Sequence, residues 1–156
     1  MEQDTHIVEH EQVQNVEKNN SNSSANASSQ QQLLGFAKKF SLDAQFLPES
    51  KQTPLEDRAY RRKKLDELRQ QRNMEEIMLR AAQYCSDATI TDRADQDWFS
   101  HFVRLAEGIS NKTMQNLWAK ILAGEISHPG SYSLKTLQMF RTMSITEAKL
   151  LAKACS

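Results

Sequence analysis

The chain has 156 residues, of which 38% are hydrophobic and 26% are charged. This length allows one domain with a real core and excludes two full-sized ones. Lysine and arginine number 20 together, as do aspartate and glutamate, so no net charge draws the whole chain toward nucleic acid or an acidic membrane.

The N-terminal residues and the cysteines bear on the compartment. Cys85 and Cys155 lie far apart and form no CxxC pair, which is typical of reduced thiols in a cytoplasmic protein. The first ten residues, MEQDTHIVEH, are acidic and lack the apolar stretch of a secretory signal. No apolar run approaches the roughly 20 residues of a transmembrane helix. We therefore expect a cytoplasmic protein without a transmembrane segment.

Residues 1–32 are predicted to be a disordered, acidic and polar tail, because NNSNSSANASSQQQ (19–32) has almost no apolar side chain to offset the entropy of ordering it. Segment 33–47 is predicted to be a short amphipathic helix that docks on the main domain. A helix that binds a membrane surface or a partner is the alternative. Its apolar residues are Leu33, Leu34, Phe36, Ala37 and Phe40.

After a linker at 48–53, one long helix is predicted from Pro54 to about Cys85, since no glycine or further proline interrupts it. Thr53 and Glu56 have the spacing of a capping box. The first half of this helix is mostly charged, so it projects or pairs with something outside this chain. The second half has a broad apolar face and belongs to a core. That face comprises Met74, Ile77, Met78, Ala81, Ala82 and Cys85.

Four shorter helices complete a helical domain at 54–156. Trp98 and Trp118 lie at core spacing on the first and second of them. The segment SHPGSYS (127–133) predicts a tight turn, and Gly124 before it is expected to allow close packing. Strict alternation of apolar and polar residues nowhere persists, so the fold class is all-α, a small bundle of about five helices. The predicted N-caps are Asp92 or Asp95, Ser110, Ser133, and Ser144 with Glu147 as a capping box.

The segment MQNLWAKILAGEISHPGSYSLKTLQMFRTMSITEAKLL (114–151) resembles the hallmark LWAxILAGEI…PGSxSxxTL of an uncharacterised bacterial domain of unknown function. That domain is seen in proteins related to the abortive-infection alpha type. DRADQDWFSHFVRLAEGISNKT (92–113) is similar to the helix that precedes it there. The resemblance implies phage defence or a prophage as context, and no activity. Such proteins continue past this helix, so KACS marks either a short reading frame or a fragment.

The charged half of the long helix carries two hypotheses about binding. A thin apolar seam, Leu55, Ala59, Leu65 and Leu68, suits a partner helix from another protein or from a second copy of the chain. Nucleic acid is the alternative partner, through a run of cations. Acidic neighbours such as Asp66, at ion-pair spacing from Arg62, instead favour a solvated helix face. The run comprises Arg58, Arg61, Arg62, Lys63 and Lys64.

No set of residues predicts catalysis, a cofactor or a metal. HIVEH (6–10) has the spelling of an inverted zincin motif but stands in the polar tail. Asp92, Asp95 and Asp97 are better explained as helix-capping residues than as metal ligands. The sequence therefore predicts a non-enzymatic protein-interaction module.

Overall fold

The computed structural model describes residues 27–154, which contain six α-helices, two 3₁₀ turns and no strand. The predicted all-α class is confirmed. Most of the predicted tail lies outside the described residues, as do HIVEH and Cys155. The helices are α1 (Ser29–Lys39), α2 (Leu55–Tyr84), α3 (Gln96–Ala106), α4 (Lys112–Ser127), α5 (Leu134–Thr142) and α6 (Ile145–Ala154).

The chain divides into two compact units, Met1–Arg62 and Lys63–Ser156, and the boundary falls within α2. In the first unit, α1 begins at Ser29, four residues before the predicted start. A capping box explains this start. The backbone N–H of Gln31 donates to Ser28 Oγ at 3.2 Å, and the N–H of Ser28 donates to Gln31 Oε1 at 2.9 Å. The polar segment 19–32 therefore contains a local signal for the start of a helix.

The helix predicted over 33–47 is wrong in its extent, because α1 stops at Lys39. The N–H of Leu42 donates to the carbonyl of Ala37 and the N–H of Ser41 to that of Lys38. This pair of bonds is a Schellman motif, and Ser41 adopts the left-handed φ of 56° that the motif requires. Glycine usually occupies this position, so the serine concealed the stop. Two 3₁₀ turns follow, at Ala44–Phe46 and Glu49–Lys51.

The long helix is present, but it begins at Leu55, and the carbonyl of Pro54 accepts a bond from the N–H of Arg58. No hydrogen bond of a capping box joins Thr53 to Glu56 in the part of the chain that the structure describes. The buried face of α2 is also narrower than predicted: Met78, Ala82 and Cys85 are exposed. The buried residues of α2 are Asn73, Ile77 and Ala81.

The core of the second unit lies among α3, α4, α5 and α6. Helix α3 packs on α5, and α4 packs on α6. Trp118 is fully buried, with its ring centroid 5.4 Å from that of Phe102, which in turn lies 5.4 Å from that of Trp98. Ile77 of α2 joins this cluster. The prediction that both tryptophans are core residues is confirmed.

Most of the predicted helix caps are confirmed by hydrogen bonds. Asp95 accepts from two N–H groups of α3, and Ser133 accepts from that of Thr136. The prediction of Ser110 as a cap is wrong: Asn111 caps α4. Ser110 Oγ instead accepts from Asn73 Nδ2 at 3.1 Å, a partner 37 residues away.

Candidate binding surfaces

The turn between α4 and α5 is held by one buried carboxylate. Glu125 is 2% exposed. Its Oε1 accepts from the N–H of Gly130 at 2.7 Å and its Oε2 from the N–H of Tyr132 at 2.9 Å. Gly130 has a φ of 89°, where other residues are strained. Two charge-assisted bonds thus satisfy the turn's backbone donors inside the protein.

The rest of the turn motif packs against Tyr132. A Cβ added at Gly124 would lie 3.0 Å from Tyr132 Cε2, so a side chain there would displace the ring. The indole Nε1 of Trp98 donates to the carbonyl of Tyr132 at 2.7 Å. The predicted role of Gly124 in close packing is confirmed. Gly124, Glu125, Gly130 and Tyr132 therefore hold the architecture of this turn.

A second buried polar cluster ties α2 to the connection between α3 and α4. Asn73 Nδ2 donates to the carbonyl of Glu107 at 2.9 Å, and Gln115 Nε2 donates to the carbonyl of Ile109 at 2.9 Å. The two amides also meet at 3.4 Å through Gln115 Nε2 and Asn73 Oδ1. This cluster was not predicted. In the sequence, this cluster is indicated by one polar residue on the apolar face of each helix, Asn73 on α2 and Gln115 on α4.

An open groove of about 770 Å³ lies between α2 and α3 in the second unit. We call its apolar lining residues the floor, and the exposed Met78 and Leu79 are among them. The other apolar lining residues are Met74, Phe99 and Val103. Methionine adapts its shape to irregular partners, so such a floor suits a docked side chain.

The polar lining residues, which we call the rim, carry net negative charge. Glu67, Glu75 and Glu107 form the rim together with Gln70 and Gln71. Gln71 Nε2 donates to Glu75 Oε1 at 2.7 Å, which orients that carboxylate. No lysine or arginine is among the described lining residues. The groove therefore presents negative charge around an apolar floor.

The predicted apolar seam is largely uncovered. In the first unit, Leu55 and Ala59 are exposed. In the second unit, Leu68 is exposed and Leu65 is half-buried. None of the four lines the groove. The seam remains a prediction of a partner surface, separate from the groove that only the structure reveals.

The five predicted nucleic-acid contacts fall in both units, and their role in binding stays a prediction. In the first unit, Arg58 and Arg61 line a pocket, while Arg62 is exposed. In the second unit, Lys63 lies 4.0 Å from Glu67, and Lys64 is exposed. The expected pairing of Arg62 with Asp66 is not seen: Asp66 binds Arg69 at 2.8 Å.

Three further observations concern other classes of function. Asp95 caps α3, as the capping interpretation requires. In residues 27–154, no three or more His, Cys, Asp or Glu side chains could together hold a metal ion. No helix in that range has both the length and the apolar character needed to cross a bilayer.

These features define the class of protein. It is an all-α domain in which Glu125 holds the turn between α4 and α5, and the long helix α2 carries exposed surfaces. A family model described as "Protein of unknown function (DUF2806)" matches residues 57–156. That match covers more than half of the chain, so the chain belongs to this family. Comparisons with curated proteins and with solved structures gave no match.

Proposed function

We propose that this protein is a non-enzymatic interaction module that binds an amphipathic helix of a partner protein in the groove between α2 and α3. The observation that carries the proposal is the exposed apolar floor of that groove. Burying a leucine or methionine fully is worth about 1.5–3 kcal/mol. Covering Met78 and Leu79 would therefore contribute to affinity.

The geometry of the groove matches a helix better than an extended peptide. Its walls are two helices, and the sheet edge that an added strand needs is lacking among residues 27–154. A docked helix offers apolar anchors at i, i+3 or i+4, and i+7, which is the recurring pattern for grooves of this kind. The proposed occupant is therefore a single amphipathic helix.

The charge of the rim defines the partner further. Glu67, Glu75 and Glu107 favour a helix whose apolar face is flanked by lysine or arginine. Such complementarity raises the association rate and selects against acidic competitors. Because the rim is open to solvent, the selectivity should fall as salt rises.

Two labelled helical peptides test this proposal against the full chain by fluorescence anisotropy. Both carry leucine anchors at i, i+4 and i+7, and they differ only in having lysines or glutamates beside these anchors. We expect the lysine peptide to bind roughly tenfold more tightly or better. Leu79→Asp should abolish this binding.

Leu150→Asp is the matched control, since Leu150 is 63% exposed and Leu79 is 64% exposed, but Leu150 lies on α6 outside the groove. Equal affinity for the two peptides would contradict the charge argument. Equal loss in the two variants would contradict the groove as the binding site.

The seam on α2 is a further surface for the same function, with a second copy of the chain as one candidate partner. Leu65→Asp combined with Leu68→Asp should then abolish self-association in light scattering while the helical circular dichroism persists. Retained self-association in this double variant would exclude the seam. The biological setting that goes with the module is a bacterial cytoplasm, with phage defence as the process suggested by resemblance.

Nucleic acid is the second candidate partner. Arg62 and Lys64 are exposed and make no ion pair with the described residues, so both are free to contact phosphates. Changing Arg61, Arg62, Lys63 and Lys64 to Glu should remove such binding, and binding by the unchanged chain should weaken steeply with salt. Absence of salt-sensitive retention on DNA or RNA columns would dismiss this candidate.

A further inference from the structure

The first unit contains a pocket of about 300 Å³ where four cationic side chains converge. Lys38 comes from the last turn of α1, Lys51 from the second 3₁₀ turn, and Arg58 and Arg61 from the first turns of α2. They are 23 positions apart in sequence at most, yet no spacing rule relates them. The Schellman stop after α1 and the two 3₁₀ turns bring them to one place.

The cations lack anionic partners within the described chain. No ion pair is formed by any of the four with residues 27–154. The Nε of Arg58 is inaccessible to solvent and donates to no described acceptor. A buried donor without an acceptor costs free energy. Asp43 is the one carboxylate in the lining, so positive charge predominates.

The remaining lining residues suit an oxyanion. Ser41 and Thr53 offer hydroxyl donors beside the cations. The loop that carries them is held in place, since Gln52 Nε2 donates to the carbonyl of Leu47 at 3.0 Å. One guanidinium group can donate two parallel hydrogen bonds to a phosphate, and each lysine adds a compact positive charge. Leu47 and Ala44 supply an apolar wall.

We propose that this pocket binds the phosphate group of a small phosphate monoester. Its volume lies at the lower end of small-molecule sites, which suits a phosphate with a few carbon atoms attached. Four cations match a dianion better than a carboxylate. The apolar wall contacts the organic part of the ligand, and the carboxylate of Asp43 accepts from a ligand hydroxyl.

Isothermal titration calorimetry of the full chain with glycerol phosphate, and with glycerol as the neutral control, tests the proposal. We expect saturable one-to-one binding of glycerol phosphate and none of glycerol. Lys38→Gln and Arg61→Gln should each weaken binding about tenfold or more, because each removes a charged hydrogen bond. Phosphorus NMR of the bound ligand should show the same losses.

Lys39→Gln and Arg62→Gln are matched controls, since each is exposed and adjoins a pocket residue without lining the pocket. Unchanged affinity in both supports the pocket. Losses equal to those of Lys38→Gln and Arg61→Gln would overturn it in favour of diffuse electrostatic attraction. Circular dichroism of each variant distinguishes a lost site from a lost fold.

Oligonucleotides with and without a 5′-phosphate distinguish the sources of the phosphate. Binding that requires the 5′-phosphate and fails in Lys38→Gln keeps the pocket and makes a nucleic-acid end its ligand. Binding that is independent of the 5′-phosphate, together with no uptake of glycerol phosphate, would overturn the pocket and support contact along the cationic run of α2.

Discussion

Helices α4 and α1 are both capped amphipathic helices, but different forces hold them. In α4, nine residues are buried, including the fully buried Trp118. In α1, Ala37 is the buried residue, and Leu33 and Phe36 are exposed. Helix α1 instead has a capping box at its start and a Schellman motif at its end. Burial stabilises α4, whereas α1 depends on local hydrogen bonds.

This difference predicts that the two units differ in stability. Caps contribute about 1 kcal/mol each, while one buried aromatic residue contributes several. The first unit should therefore open locally at a lower free energy than the second unit unfolds. Surfaces near α1 are then easier to rearrange around a ligand than those built on α4.

Trp118→Ala should have the largest effect, because it removes the centre of the aromatic cluster. We expect a loss of about 3–5 kcal/mol in the free energy of unfolding, measured by urea titration with circular dichroism. Phe36→Ala on α1 is the matched control and should change it by less than about 0.5 kcal/mol. Similar losses in both variants would show that α1 is as tightly packed as α4.

Glu125→Ala should come next, since it leaves the N–H groups of Gly130 and Tyr132 without their acceptor. The expected loss is about 3 kcal/mol in urea unfolding. Glu125→Gln keeps one acceptor oxygen and should lose less. If the alanine variant unfolds at the same urea concentration as the parent protein, the turn does not depend on this carboxylate.

Ser28→Ala should have a smaller and local effect. It removes the cap of α1 and should lower the free energy of opening there by about 1 kcal/mol. Hydrogen exchange of the α1 amides measures this directly, and the exchange of α4 amides is the internal control. Faster exchange in both helices would contradict the view that α1 is held by its own caps.

The smallest expected effect is on the pH dependence of the stability of α6. The pKa of Glu147 is lowered, chiefly because the backbone N–H of Ser144 donates to its carboxylate, with the Ser144 side chain as a further cause. The folded pKa lies below the unfolded one, so the contribution to stability is present above the ordinary pKa of glutamate and is lost as pH falls through the lowered one. Ser144→Ala should raise the Glu147 pKa in an NMR titration. No rise would show that the side chain of Ser144 does not contribute.

Much of the fold could be predicted because helix signals act over one turn. The caps at Asp95, Ser133 and Ser144 depend on residues within four positions, and all three are present. The Ser110 prediction failed because a distant amide, that of Asn73, takes its hydroxyl. The capping box of Ser28 and Gln31 was not predicted, because these residues lie in a polar segment whose composition indicates disorder.

The candidate sites were predicted less well, because they too depend on residues that are distant in sequence. The cations Arg58 and Arg61 could be recognised as a local run, but Lys38 and Lys51 join them only through the path of the loops. The spacing of Met78 predicts a core position, yet Met78 lies exposed in the groove. Periodicity identifies an apolar stripe without showing how much of it another helix covers.

The sequence by itself determined the helical class, the positions of most helices and the burial of both tryptophans, since these follow from short-range spacing and from hydrophobicity. Only the tertiary structure decided the clamp at Glu125, the amide cluster of Asn73 and Gln115, the acidic groove and the cationic pocket. Each of these depends on the angle at which helices or turns meet. In the second unit that angle is set by packing over the core rather than by any one turn of helix. In the first unit it is set by the path of the chain after α1, through the Schellman motif and the two 3₁₀ turns.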